Sequence, residues 1–443
     1  MKPTDEQTRT PRPATSLRHG PQRVSKALAL TGVLALSTFA ADDPLARTKA
    51  LLASGSENVR IVGFGDSITG IYYHTGSHRA WPAMLKIALE RVYPKAQIEM
   101  TNAGRSGHTT TAGLKRIEKD VLSKKPHLVV VMFGMNDLAF DAKGRSPEQL
   151  EAIRKRYQGN LGSIIDQCRG VGAEVLLCTP NSIYPEGVPR RPVERIAEYA
   201  RAMRDLGGEK GVPVADGYAA YEELRTTNRR AWMLCMSETI HPSMAGHKLF
   251  AETMAATISG KRISLKDVPP VGPGLPHVRK LLAAQKPIRI VAPEPYAAAA
   301  AEMLKAAGAP DVQVTPWPAE GQTLLAMQTW AQKHVRAAKP NLVLVAVPDS
   351  ALLPGYDEEK LIRAYSWVVN WSLAFGRSQW DVVGILPSVS NASGRSEPAL
   401  ATDALARQII LGHDVPVIER AQGDSASASR IVQGWLQTQL KGQ

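Results

Sequence analysis

Ser67 lies in Gly65-Asp66-Ser67-Ile68, directly after the apolar run Arg60-Ile61-Val62-Gly63-Phe64. A serine at a strand-to-helix turn exposes its hydroxyl, and a histidine is the side chain suited to take the proton. His241 supplies one in Glu238-Thr239-Ile240-His241-Pro242, where Glu238, three residues earlier, can orient the imidazole. Backbone amides beside Ser67 and in the glycine-bearing stretch Asn102-Ala103-Gly104-Arg105-Ser106-Gly107-His108 are donors for a developing oxyanion. The side-chain amide of Asn136, in Gly134-Met135-Asn136-Asp137, is another. Each such donor removes about 3 kcal/mol from a barrier of this kind. The chemistry is nucleophilic attack on a carbonyl carbon.

These groups need a frame. Apolar runs at 60–64, 128–132 and 174–178, a second strand suggested at 97–101, and Val212-Pro213-Val214 alternate with helical patterns near 79–92, 110–123, 147–169, 191–207 and 243–259. Strands alternating with helices, with continuous apolar runs, predict an α/β fold whose parallel sheet is covered on both faces. Ligands in such sheets bind beyond the carboxyl ends of the strands. The loops after Phe64, Thr101 and Met132 carry three of the four blocks, and the histidine block follows the last strand. Gly-Asp-Ser alone is a weak signal; four blocks in order at strand ends are a strong one.

With those blocks in place, the chain resembles the SGNH hydrolase superfamily, the GDSL-type esterases and lipases, over residues 58–260. The resemblance implies a flavodoxin-like three-layer α/β/α sandwich with a five-stranded parallel sheet. It also implies an ester hydrolase with Ser67 as nucleophile, His241 as base, and an oxyanion hole of the Ser67 amide, a glycine and Asn136. By its spacing from Asn102 the glycine is Gly107, with Gly104 the alternative. The family's usual acid three residues before the histidine is Asp; here it is Glu238. One extra methylene can still reach the imidazole, so Glu238 is expected to orient it, the alternative being a backbone carbonyl in that role.

Neighbouring residues have plainer expectations. Asp66 stabilises the nucleophile turn, Asp137 bonds local backbone, and His247 caps or packs the last helix. His108 sits on a loop, solvated or facing substrate. Tyr72, Tyr73, His74, His78 and Arg79, in the loop after Ser67, form either a sugar or acyl platform or an ordinary surface loop.

The chain of 443 residues is longer than one such domain requires. A stretch with Pro269, Pro270, Gly272, Pro273, Gly274 and Pro276 reads as a linker. Beyond it, Arg289-Ile290-Val291, Lys339-Pro340-Asn341-Leu342-Val343, Leu386-Pro387 and Val415-Pro416-Val417 echo Arg60-Ile61-Val62, Lys125-Pro126-His127-Leu128-Val129, Thr179-Pro180 and Val212-Pro213-Val214, in the same order. The expected organisation is therefore a signal peptide at 1–40, a catalytic domain at 41–262, a linker at 263–286 and a degenerate α/β copy at 287–443. In that copy Tyr296 stands where Ser67 would be, Val347-Pro348-Asp349 replaces the asparagine block, and no histidine follows Val417.

Residues 18–26 are basic, 27–40 (ALALTGVLALSTFA) are small and apolar, and Asp42 and Asp43 follow. That pattern predicts a secretory signal peptide cleaved after Thr38-Phe39-Ala40, and hence a secreted or periplasmic protein. Fourteen apolar residues are short for a stable membrane span, an uncleaved anchor being the alternative. The net charge of +13 falls to +9 without the first 26 residues. The remaining charge is spread among acids without interleaved aromatics, which argues against nucleic acid as a partner. Cys168, Cys178 and Cys235 suit buried apolar positions; they form no disulfide framework, and neither metal nor cofactor is implied. Low aromatic content (6%) disfavours long-chain lipid. The expected substrate is a small-molecule or polysaccharide ester, above all a short acyl (acetyl) ester on carbohydrate. The alternatives are a lysophospholipase or thioesterase activity, and a non-catalytic carbohydrate-binding protein.

Overall fold

Leu128–Met132 (LVVVM) and Leu342–Ala346 (LVLVA) contain no polar side chain, so strands made from them must be hidden on both faces. In the computed structural model each is the third strand of its own five-stranded parallel sheet. The structure describes residues 43–138, 144–185, 193–272, 274–352, 357–390 and 396–441. The expected signal peptide lies outside them.

The first sheet comprises β1 (Asn58–Gly65), β2 (Gln97–Gly104), β3 (Leu128–Met132), β4 (Glu174–Cys178) and β5 (Val214–Ala215), in the spatial order β2-β1-β3-β4-β5. The second comprises β6 (Ile288–Ala292), β7 (Val312–Pro316), β8 (Leu342–Ala346), β9 (Asp381–Ile385) and β10 (Val417–Ile418), ordered β7-β6-β8-β9-β10. Both follow the flavodoxin-like order, which puts the switch point between the first and third strands of each sheet.

The likeness of the halves extends to single hydrogen bonds. The Arg60 amide donates to His127 Nδ1 at 3.1 Å, His127 N to Arg60 O at 2.8 Å, and Arg60 Nε to Lys125 O at 2.7 Å. In the second half Arg289 N donates to Asn341 Oδ1 at 2.8 Å, Asn341 N to Arg289 O at 2.7 Å, and Arg289 Nε to Lys339 O at 2.8 Å. Lys125 and Lys339 share the left-handed conformation, with φ of 49° and 46°. Glu174 at the start of β4 accepts from the first-turn amides of helix Ala46–Ser54. Asp381 at the start of β9 does the same for helix Pro276–Ala283. That second helix lies inside the stretch expected to be a linker; it covers the second sheet as Ala46–Ser54 covers the first.

Side chains in the second sheet alternate between two apolar clusters. Ile288, Ile290, Leu342, Leu344, Val383 and Ile385 face a smaller core, whereas Val291, Val343, Val345 and Val382 join the large core that also fills the first half. Asp43–Gln443 is accordingly one compact unit. Helix Glu358–Ser372 packs on helix Arg229–Leu234 and on the turn Tyr73–Thr75, and helix Glu397–Gly412 packs on Met244–Ser259.

One expected helix, 110–123, is broken into Thr110–Leu114, Ile117–Asp120 and the 3-10 turn Leu122–Lys124. At the break the buried Arg116 guanidinium turns inward and donates to Gly65 O at 2.8 Å and Ala103 O at 2.7 Å. It thereby adds a donor to carbonyls at the ends of β1 and β2, where Gly65 O also accepts from Arg105 N at 3.2 Å. Among the described residues no helix is long and apolar enough to cross a membrane.

The halves are also joined by an ion pair between half-buried Arg79 and buried Asp414. Arg79 Nε and Nη2 meet both Asp414 carboxylate oxygens at 2.8 and 2.7 Å. Removing one partner of such a pair strands the other charge. Arg79→Ala is expected to destabilise the protein by about 3 kcal/mol in urea unfolding; a change below about 0.5 kcal/mol, the size of an exposed pair, would show that the pair contributes little.

Candidate active site

β1 ends at Gly65, and the chain turns sharply into Asp66-Ser67-Ile68. Asp66 makes that turn: its Oδ1 accepts from Ile68 N at 2.9 Å and its carbonyl accepts from Gly70 N at 3.0 Å. A Cβ on Gly65 would stand 2.3 Å from Met132 O, so the tight passage between β1 and β3 requires glycine there. Ser67, 7% exposed, presents Oγ to His241 Nε2 at 2.8 Å.

The other side of His241 faces Glu238, whose Oε1 bonds Nδ1 of the imidazole. A carboxylate only accepts, so Nδ1 carries the ring proton and Nε2 is left to accept from Ser67 Oγ. Glu238 also accepts from Ile240 N at 3.1 Å and His241 N at 2.9 Å, while Ser237 N donates to His241 O at 2.9 Å. Residues 237–241 thus form a closed turn that folds the longer glutamate back onto its own histidine. Burial raises the pKa of the Glu238 carboxyl, but the facing His241 charge and these hydrogen bonds outweigh it and leave it below the ordinary glutamate value. The carboxylate stays ionised, as an orienting group must.

The glycine block lies beside this pair because β2 flanks β1 in register, Gly65 against Gly104. Gly104 N donates to Asn102 Oδ1 at 2.9 Å, so its amide is engaged within its own turn. Gly107 has φ of 74°, and no hydrogen bond engages its amide within the described residues. Asn136, 5% exposed, follows β3 on the other side, and its Nδ2 donates to His108 O at 3.2 Å. The neighbouring strand ends therefore bring the Ser67, Gly107 and Asn136 segments to one edge of the sheet. His108 accepts from Arg116 Nε at 3.1 Å, which ties its ring into the strand-end network. Asp137 accepts from Thr110 N at 2.9 Å, and His247 Nδ1 accepts from Trp81 N at 2.8 Å; both tie separate segments of the chain together. Among the described residues no group of His, Cys, Asp or Glu could hold a metal ion.

Two features were not read from the sequence. The first is an imidazole column. His74, fully buried, stacks on His241 with ring centroids 4.7 Å apart and 10° between planes, and His247 stacks on His74 at 5.6 Å. Burial, together with the facing His241 and His247, holds His74 well below the usual histidine pKa, and burial brings His247 down to about 3. Both are neutral. The second is a wall from the second half. Trp367 and Phe375 pack on Tyr73 at 6.4 and 5.9 Å, with the Arg336 guanidinium 5.5 Å over the Tyr73 ring. Tyr73 in turn meets the His241 ring at 6.3 Å, and Tyr72 accepts from Ser106 N at 2.8 Å. Phe375 is 57% exposed. The loop after Ser67 is thus an aromatic wall beside the site, with His74 buried beneath it.

A serine, a histidine and a glutamate linked by hydrogen bonds on the carboxyl edge of a flavodoxin-like sheet are the arrangement that serine hydrolases use. Residues 64–249 match the model of the GDSL-like lipase/acylhydrolase family. Esterase TesA of Pseudomonas aeruginosa is 30% identical over 204 residues, 43% of this chain and 88% of that protein. An acetylxylan esterase of Geobacillus stearothermophilus is 29% identical over 171 residues, 38% of this chain and 76% of that protein. Among solved structures, the lipase/acylhydrolase from Enterococcus faecalis is 28% identical, with a TM-score of 0.37, covering 47% of this chain and 99% of its own. The chain belongs to the GDSL-like lipase/acylhydrolase family, the SGNH hydrolases, and is an ester-bond hydrolase.

The two candidate glycines can be told apart by stability. A Cβ on Gly104 would stand 2.2 Å from Gly70 N, whereas one on Gly107 would meet nothing within 4 Å. Gly107→Ala should cost only about 1 kcal/mol, the strain of a left-handed alanine. Gly104→Ala should cost clearly more in thermal unfolding, and equal losses would contradict this assignment of their roles.

Proposed function

We propose that the protein is an exported serine esterase that removes short acyl groups, chiefly acetyl, from carbohydrate. The observation that carries the reading is the continuous hydrogen-bonded relay from Ser67 Oγ through His241 to the ionised Glu238. Ser67 attacks the ester carbonyl as His241 Nε2 takes its proton. The oxyanion is held by the amides of Ser67 and Gly107 and by the side chain of Asn136. His241 then gives the proton to the leaving alcohol. Water, activated by the same imidazole, releases the acid from the acyl-enzyme. Glu238 holds the ring and balances its charge while it is protonated.

The carbohydrate assignment is supported by the similarity to an acetylxylan esterase and by the wall of Tyr73, Trp367 and Phe375, whose flat apolar faces suit a sugar ring. Export rests on the basic and then apolar pattern of residues 18–40. The second half, with Tyr296 in place of a nucleophile, performs no chemistry of its own.

A panel of acetyl, butyryl and long-chain nitrophenyl esters beside acetylated xylo-oligosaccharides tests the reading. Acetyl esters should be preferred and Ser67→Ala should abolish turnover, while Glu238→Ala should lower kcat by about a thousandfold or more. A preference for long chains or thioesters would replace the acetyl assignment. Turnover of no ester would favour a binding protein, and near-normal Glu238→Ala activity would reject its role.

A further inference from the structure

One short segment of the second half grips both elements that hold the catalytic imidazole. The first is the turn 237–241. Ser237 Oγ donates to Asn370 Oδ1 at 2.9 Å, and Asn370 Nδ2 donates to Ser237 O at 3.0 Å. Asn370 is fully buried in helix Glu358–Ser372, and both functions of its amide point at Ser237. The second is the loop that carries His74. Tyr73 N donates to Phe375 O at 3.1 Å, Ser77 Oγ to Ala374 O at 2.7 Å, and Ser378 N to Ser77 O at 2.8 Å. His74, between those anchor points, lies face to face with His241.

We propose that residues 370–378 of the second half brace the base of the active site, with Asn370 as the positioning residue that fixes the Glu238–His241 turn. This rests on His241 being the base. The physical reason is the location of the turn. Residues 237–241 lie between helix Arg229–Leu234 and helix Met244–Ser259; the bonds within the turn set its shape, and Asn181 Nδ2 to Ile240 O at 2.8 Å and Tyr184 N to Thr239 O at 3.2 Å hold its middle. The Asn370 amide anchors the start of the turn, at Ser237, through two directed bonds in a dry interface, where an unpaired partner is costly. The stacked His74 limits tilt of the ring, and the backbone bonds to 374–378 hold His74 in turn. A dead copy retained in this way is part of the catalytic centre of its neighbour.

The test uses the full chain and the variant Asn370→Ala. The titratable and charged groups around His241 are Glu238 in its own turn, Tyr73 and His74 in the loop after Ser67, and His247 in helix Met244–Ser259. Arg336 stands behind Tyr73, and His413 lies near His74. Asn370→Ala alters none of these but loosens Glu238 from the imidazole. With nitrophenyl acetate, kcat should fall about tenfold or more while KM changes less than about threefold, because misplacing a base acts on the chemical step. The acidic limb of the pH–activity profile should move to lower pH, since a carboxylate held less closely favours the imidazolium less. The low-field proton resonance of His241 Nδ1 should move upfield. Ser237→Ala should cost less in the Asn370→Ala background than alone, because the two share one interaction. Val432→Ala, in the smaller core, supplies a comparison of lowered Tm with unchanged kcat. Wild-type kcat, pH profile and resonance in Asn370→Ala would overturn the proposal, as would an equal loss of kcat in Val432→Ala. If the wild-type protein hydrolysed no ester, the functional reading would fail while the resonance still decided the brace: an upfield shift in Asn370→Ala supports it and an unchanged resonance overturns it.

Discussion

The site depends on keeping one imidazole in a single tautomer and a single place. His241 Nε2 can accept from Ser67 only while Nδ1 keeps its proton, and Nδ1 keeps it because Glu238, ionised and buried, accepts it. A buried carboxylate is costly unless it is well paired. Its two backbone donors in the same turn and the facing ring supply the pairing. The rest of the site arranges this relay against the segments proposed as oxyanion donors. The parallel sheet aligns three strand ends, Asp66 sharpens the turn that carries Ser67, and Arg116 ties together the carbonyls where β1 and β2 stop.

Much of this was legible in the sequence because it is local. Apolar runs marked the central strands, and three of the four chemical blocks sit within a few residues of a strand end. The substitution of glutamate for aspartate looked like a departure that might displace the orienting role. Geometrically the 237–241 turn closes on itself and absorbs the extra methylene, so the Glu238 carboxylate still reaches His241 Nδ1. Spacing favoured Gly107 over Gly104 as the oxyanion glycine, and the bond from the Gly104 amide to Asn102 Oδ1 is compatible with that expectation.

What could not be read was tertiary. His74 stands in a loop of mixed polar and aromatic residues, and nothing in that string shows that a helix nearly 300 residues later covers it. Asn370, between Val369 and Trp371, has the pattern of a buried helix face with one polar interruption; its partner Ser237 is 133 residues away. The repeat itself was visible as tripeptide echoes, and the structure extends it to matching strand orders and matching Arg60 and Arg289 networks. The sequence did not show that the second copy shares a core with the first, so that the loops of one are finished by the other.

The central claim is that Ser67 is a nucleophile activated by His241. The most direct measurement is peptide mass spectrometry after reaction with a fluorophosphonate, which labels a serine only when a neighbouring base activates it. The account predicts a single adduct on the peptide containing Ser67, formed rapidly in the wild-type protein and hardly at all in His241→Ala. An adduct on another residue, or labelling of Ser67 that is indifferent to His241, would contradict it.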